Sequence, residues 1–285
     1  MGALATAFFN ENTLRFGFLG VASGALYALV ALGLVLTYRA SGVLNFSVGS
    51  MGAISAYEFF ALRDSGPQPI FGETTKIYWG LALVIALLLG IVIGLFTHFL
   101  VMVVLRKVSL LGKLIATLGL MTFGQGFVGV IYDTRLRTPQ TFFPTDPTKL
   151  PFTKNVYIPA ERYILIGLVL LVAAVLRLIY SKTLFGLATT GVAENRRVAS
   201  ASGYSPTIIE MVNFGVAGLL AAGAAILLSP IVGLQLSVLT LMVLPALAAA
   251  LVGRFSSFTV TVVGALVIGM LQALVSYFQG DIAGW

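Results

Sequence analysis

The chain has 285 residues, of which 59% are apolar and 9% charged, against roughly half and a quarter for a soluble domain. A mean hydropathy of +1.02, with apolar runs longer than the ~20 residues that cross about 30 Å of hydrocarbon, makes lipid the solvent for most of the surface and excludes an ordinary soluble enzyme. The net charge of +7 is scattered among apolar spans and forms no continuous basic face, so it reads as membrane topology and excludes a nucleic-acid partner.

The alternating strands of an outer-membrane barrel are missing, and helices are then the remaining way to satisfy the backbone inside a bilayer. The expected fold is all-α: a polytopic integral membrane protein, read as one membrane domain over 1–285 because no composition shift marks a boundary. Apolar segments fall at 14–38, 43–62, 77–105, 110–132, 163–180, 207–233, 235–253 and 258–279, about eight spans. The opening Met1–Asn12 has no basic region and its first apolar stretch leads straight into further spans, so no cleavable signal peptide is expected. With no cysteine, one histidine and ten acidic residues, disulfides, thiolate metal sites and cysteine nucleophiles are excluded and ligands for a catalytic metal are few.

In the first span Gly20 and Gly24 have the spacing of close helix packing, as do Gly90 and Gly94 in the third. Between the first two spans, Gly42-Val43-Leu44-Asn45-Phe46-Ser47-Val48-Gly49-Ser50-Met51-Gly52 places glycines, serines and an asparagine at bilayer depth. Glycines permit unwinding, and Asn45, Ser47 and Ser50 replace the hydrogen bonds so lost, which predicts a broken helix near 42–52 with polar groups facing a solute pathway. Small-residue packing between helices accounts for the same composition, and the residues alone leave both readings open.

The spans hold few ionisable or amide side chains: Glu58, His98, Gln125, Glu210, Asn213, Gln235 and Gln272. Glu58 and Glu210 fall near span ends, where a carboxylate is expected to reach water, and His98 has no acidic neighbour at helical spacing, which argues against a proton relay. Gln125 and Asn213 suit the lining of a polar path. The stretch 133–162, with Pro139, Pro144, Pro147, Pro151 and Pro159, reads as an ordered loop, and 181–206 as a helical excursion stopped at Gly203. Such a helix suits docking into a groove of another protein, although a solvated loop helix has the same composition. Pro230 and Pro245 are expected to bend or end helices, and Gly253-Arg254-Phe255-Ser256-Ser257 forms a second break.

With the 181–206 loop cytoplasmic, that side carries Arg39, Arg106, Lys107, Lys113, Arg177, Lys182, Arg196, Arg197 and Arg254. The other side carries Arg15, Arg63, Lys76, Arg135, Arg137, Lys149, Lys154 and Arg162, so the basic residues nearly balance. The acids separate better, with Glu194 on the first side and Glu11, Asp64, Glu73, Asp133, Asp146, Glu161 and Asp281 on the second. An outside N-terminus follows.

At these segments the chain resembles the permease subunits of branched-chain amino-acid ABC importers, a family that also includes permeases for urea, short amides and other small organic acids. Leu44-Asn45-Phe46-Ser47 with Gly49, Ala56 and Tyr57 is similar to the family's first signature, and Leu114-Ile115-Ala116-Thr117-Leu118-Gly119-Leu120 to the next. Glu194-Asn195 through Ala199 and Gly203-Tyr204-Ser205 resembles the loop that contacts the ATPase subunits, and Ala248 to Gly253 the distal signature. The chain departs from the family at Val48, where histidine is usual, at Ser55, where glycine is usual, and over 254–260, which lacks three glycines and a proline. Val48 suggests a less polar pathway wall and a solute with apolar surface. The family has a further apolar segment beyond the last span found before Gly284-Trp285.

The resemblance implies a permease subunit of an ATP-driven importer for branched-chain amino acids or a related small organic solute, multi-pass in a bacterial plasma (inner) membrane. It implies as partners a homologous second permease, two ATP-binding cassette ATPases and an extracytoplasmic solute-binding protein docked over 133–162. The pathway residues are then Asn45, Ser47, Gly49, Ser50, Thr117, Gln125 and Asn213, and the coupling residues Glu194, Asn195, Arg196, Arg197, Gly203, Tyr204 and Ser205. The chain is expected to be no enzyme and to hold no cofactor: Gly112-Lys113 lacks the preceding glycine and following Ser or Thr of a phosphate-binding loop, so ATP and Mg belong to the partners. On the residues alone an ATP-independent carrier or channel is the alternative, and a membrane-embedded enzyme is disfavoured because no nucleophile–base or metal-ligand set is present.

Overall fold

The computed structural model describes residues 11–64, 78–132, 138–149 and 156–282. In chain order these form α1 (Glu11–Ser41), α2 (Val48–Asp64), α3 (Trp79–Thr97) continuing as a π-helix (His98–Val104), and α4 (Leu110–Ile131). A short antiparallel ribbon, β1 (Pro147–Lys149) with β2 (Tyr157–Pro159), precedes α5 (Ala160–Lys182), and the registry pairs Thr148 with Ile158. Then come α6 (Leu184–Glu194), α7 (Arg196–Ala201), α8 (Pro206–Val232), α9 (Leu236–Leu241), α10 (Val243–Val252) and α11 (Phe258–Ile282).

Every apolar segment of the sequence contains helix in its described part, and the expected count of about eight spans is approximate. Among the described residues six helices are long and apolar enough to cross a membrane. The segment at 43–62 is α2, of 17 residues, and the segment at 235–253 is split at Met242 into α9 and α10. Both pack among the longer helices, α2 against α8, α3 and α4, and α9 against α2. Pro245 sits in the first turn of α10, where its missing N–H costs no intrahelical bond, and α8 ends at Val232, soon after Pro230.

Side-chain contacts fix the direction of each helix. Near its start α1 packs Phe18 and Leu19 on Val156 and Ile158 beside the ribbon, and at its end Arg39 Nη2 donates to Thr190 Oγ1 of α6 at 2.8 Å. Near the end of α2, Arg63 Nη2 donates to the Gln140 carbonyl at 2.9 Å, while beyond the π-helix Arg106 donates to Thr207 at the start of α8. The ribbon and the α6–α7 loop therefore occupy opposite ends, and the two sets of basic residues separate accordingly wherever they are described. Glu73, Lys76, Asp133, Arg135, Arg137, Pro151, Lys154 and Gly284-Trp285 lie outside the described residues, as do the side chains of Asp64 and Asp281.

Lipid offers no hydrophobic drive for helix association, so close backbone contact must supply it. A Cβ on Gly20 would lie 2.5 Å from the Gly269 carbonyl oxygen and one on Gly24 2.5 Å from that of Ala265, which locks α1 to α11. The Gly90 and Gly94 spacing likewise locks α3 to α8, with Cβ positions 2.7 Å from the Gly218 oxygen and 2.3 Å from the Phe214 oxygen. The outward faces of α3, α4, α5 and α11 expose residues such as Leu88, Val92, Leu111, Phe123, Leu171, Leu178, Val263 and Leu271, as lipid-facing helices do.

Candidate functional site

The predicted break is real but narrower than 42–52. Residues 42–47 are non-helical, and Gly49, Ser50 and Gly52 already belong to α2. Gly42, at φ +70, closes α1 with its N–H on the Tyr38 carbonyl, a conformation that favours glycine. Asn45 then organises the turn: its Oδ1 accepts the Ser47 N–H at 3.2 Å and the Ser47 hydroxyl at 2.6 Å. The Ser47 carbonyl accepts the Met51 N–H and the Ser50 hydroxyl, each at 2.9 Å, so ordinary helix bonding resumes at once. Thr117 of α4 closes the turn from outside, donating its hydroxyl to the Leu44 carbonyl at 3.3 Å.

One polar atom is left over. Asn45 is 1% exposed, and because Oδ1 must face the Ser47 N–H, the amide orientation is fixed and Nδ2 is buried without a hydrogen-bond partner. A buried amide hydrogen left unpaired costs about 1–3 kcal/mol. From Ser47 onward the chain lines a partly open pocket of about 210 Å³ between α2, α3 and α4, which Asn45 itself does not line. Ser47, Ser50 and Thr97 bring hydroxyls to its wall, while Met51, Ile54, Ile93, Phe96, Phe123 and Phe127 make the rest apolar. Gly124 admits this geometry, since a Cβ there would lie 2.7 Å from Ser50 Cβ.

Of the pathway candidates, the structure thus brings together Asn45, Ser47, Ser50 and Thr117. Gly49 faces away, onto Thr240 of α9, and its role is close packing. Asn213 is fully buried and links α5 to α8, accepting the Tyr180 hydroxyl and donating to the Ile209 carbonyl, both at 2.7 Å. Gln125 is half-buried on α4 and does not line the cavity.

The 181–206 excursion folds as two short helices around Ala188, Val192, Ala199 and Ile209. Thr183 caps α6 by accepting the Gly186 N–H, and Asn195 caps α7 by accepting the Arg197 and Val198 N–H groups at 3.0 and 3.2 Å. After α7, Gly203 at φ +87 lets its own N–H reach the Ser200 carbonyl and that of Tyr204 reach Ala199, a complete Schellman stop. Glu194, Asn195, Arg196, Arg197, Gly203, Tyr204 and Ser205 are all exposed. Arg196, Arg197, Tyr204 and Ser205 line one groove of about 810 Å³ with Arg106 and Lys113.

Two expectations for the embedded charges are overturned, and a third residue gains a partner from another helix. Glu58 and Glu210 do not reach water: they are 0% and 2% exposed. Tyr132 donates its hydroxyl to Glu58 Oε2 at 2.5 Å, and Glu210 Oε1 is ion-paired with Arg196 Nη1. His98 does have an acidic neighbour, Glu210 Oε2 at 3.5 Å, contributed by another helix. No local spacing signals these pairs; the only hint in the sequence is that acids are so scarce in the spans.

The structure is that of a polytopic helical membrane protein whose broken helix borders a largely apolar pocket, an arrangement that transport proteins of the bilayer use. Residues 18–282 match the family model described as branched-chain amino acid transport system / permease component, and the chain belongs to that family. It is accordingly a multi-pass inner-membrane protein. The chain is similar to the high-affinity branched-chain amino acid transport system permease protein BraD of Pseudomonas aeruginosa, 26% identical over 92% of this chain and 86% of the relative. It is also similar to the probable branched-chain amino acid transport permease protein LivH of Methanocaldococcus jannaschii, 25% identical over 91% and 80%. The LivH permease protein of Escherichia coli K12 is 24% identical over 92% and 85%. No solved structure matches the chain at a significant level.

Proposed function

We propose that the chain is a transmembrane permease subunit of an ATP-driven importer, moving branched-chain amino acids or a related small organic solute. The observation that carries this reading is the family match over residues 18–282, supported by the helix break at 42–47, with Ser47 and Ser50 in the wall of a largely apolar pocket. An apolar wall with Ser47, Ser50 and Thr97 in it suits a solute with one polar end and one apolar end. The names of the relatives supply the solute class.

The rest of the machinery is assigned by surface. The α6–α7 loop, with Glu194 to Arg197 and Gly203 to Ser205 exposed, is the cytoplasmic contact for two ATPase subunits, which bind ATP and Mg and perform all hydrolysis. On α4, Gly119, Thr122, Gly126 and Gly129 form an exposed strip of small residues at helical spacing, suited to close packing with a homologous permease. The ribbon end receives the solute-binding protein. Closure of the ATPase pair moves the α6–α7 loops and switches the pathway from outward to inward access.

An ATP-independent carrier is the second reading, favoured by one observation, the buried His98–Glu210 pair. Purification from the native host followed by reconstitution separates the two. The importer reading expects an ATPase to co-purify and uptake of leucine, isoleucine or valine to need ATP and the binding protein. Uptake by the chain alone, driven by an ion gradient without ATP, would establish the carrier instead.

A further inference from the structure

We infer that Glu210 is a positioning residue that ties the α6–α7 loop to the π-helical end of α3, and through it to the cavity wall. The inference rests on the importer reading for its role in transport, while the linkage itself is a property of this chain. Glu210 is 2% exposed, and a carboxylate so buried persists only where partners compensate its lost hydration. Its two oxygens face different elements. Oε1 pairs with Arg196, the first residue of α7, and Oε2 lies 3.5 Å from Nε2 of His98, the first residue of the π-helix.

The surroundings decide which part can move. Upstream, α3 is clamped to α8 by Gly90 and Gly94, so the two helices cannot slide without backbone collision. His98 packs edge-on against Phe214 at 5.5 Å between ring centroids. Beyond it the hydrogen-bonding pattern changes to π over His98–Val104, a register that is rare and recurs at functional positions. Immediately before His98, Phe96 and Thr97 line the cavity. Arg196 is 47% exposed while Glu210 is buried, so a force applied to the loop from outside acts on the pair, and the π-helix, where the α-helical register is already broken, is the segment that responds. The linkage runs from loop to cavity through one carboxylate, by an ion pair at Arg196 and a contact at His98 that is not a hydrogen bond.

The chain has no cysteine, which permits a direct test on the full chain alone in nanodiscs, without ATPase subunits or nucleotide. Trypsin cleavage after Arg196 and Arg197 reads the loop, and maleimide labelling of Thr97→Cys reads the cavity wall. Glu210→Gln is expected to raise cleavage about tenfold, the response to losing a buried ion-pair partner, and to change the Thr97→Cys labelling rate by a similar factor. Arg196→Gln should shift the labelling rate alike, the double variant should exceed neither single one, and Arg196→Lys should restore the wild-type rate. Additive effects, or a freed loop with labelling unchanged, would overturn the linkage. If Glu210→Gln does not fold, Arg196→Gln carries the test, since its side chain lies half outside the fold. Failure of the wild-type complex to drive ATP-dependent uptake would instead overturn the importer reading, and both nucleotide-free measurements would keep their meaning.

Discussion

Gly49 of α2 faces the carbonyl of Thr240 on α9 so closely that a Cβ on the glycine would lie 2.1 Å from the oxygen. The contact joins the start of the helix that carries Ser50 to the distal half of the chain. The neighbour is backbone, so it cannot swing away as a flexible side chain would, and accommodation requires the two helices to part.

Gly49→Ala is therefore expected to lower stability by about 1–3 kcal/mol through overpacking, seen as a lower thermal midpoint of the detergent-solubilised protein. Gly167→Ala is the matched control, because a Cβ there meets nothing within 4 Å. Equal midpoints for the two variants would refute the packing role given to Gly49.

Asn45→Ala removes both hydrogen bonds that hold the α1–α2 turn, at about 0.5–1.5 kcal/mol each. It also removes the buried, unpartnered amide. Transport rate should fall about tenfold, with apparent affinity changing little because selection rests mainly with the binding protein. Uptake measured against solute concentration checks this; a variant that changed affinity alone would place solute recognition at Asn45.

Gly203→Val should uncouple transport. Gly203 stands at φ +87, where a side chain costs roughly 1–2 kcal/mol and a β-branched one more, so the stop after α7 is lost and Tyr204 and Ser205 are displaced. Basal ATPase activity of the complex should persist while its stimulation by loaded binding protein falls severalfold. Gly203→Asn, which tolerates this conformation better, should retain most of the stimulation.

Sidedness is open to direct labelling. Lys149 on β1 and Arg196 on α7 are both exposed and belong to opposite ends of the helices. Cysteines placed at the two positions should react with an impermeant maleimide from opposite faces of sealed vesicles, Lys149→Cys from the extracytoplasmic one. Reaction of both from one face would reject the topology.

What the sequence by itself determined is what depends on neighbours along the chain. Hydropathy over a window of about 20 residues locates a helix in lipid because each helix satisfies its own backbone, and so the expected segments match the helices closely. Gly203 and Asn45 were legible for the same reason, since each acts on residues one to four positions away. Close packing at Gly20, Gly24, Gly90 and Gly94 was legible as a spacing, although the spacing names no partner helix.

Tertiary structure alone decided the length of the break and the fate of the embedded charges. Gly49 was indistinguishable from an unwinding glycine until Thr240 stood against it. Glu58 meets Tyr132 across 74 positions of sequence and Tyr180 meets Asn213 across 33, and no periodicity spans such intervals. His98 looked solitary because its acid lies on α8. A carboxylate near a span end reaches water or a partner according to which helix packs beside it, and in a bundle held by backbone contact that choice is made only when the helices assemble.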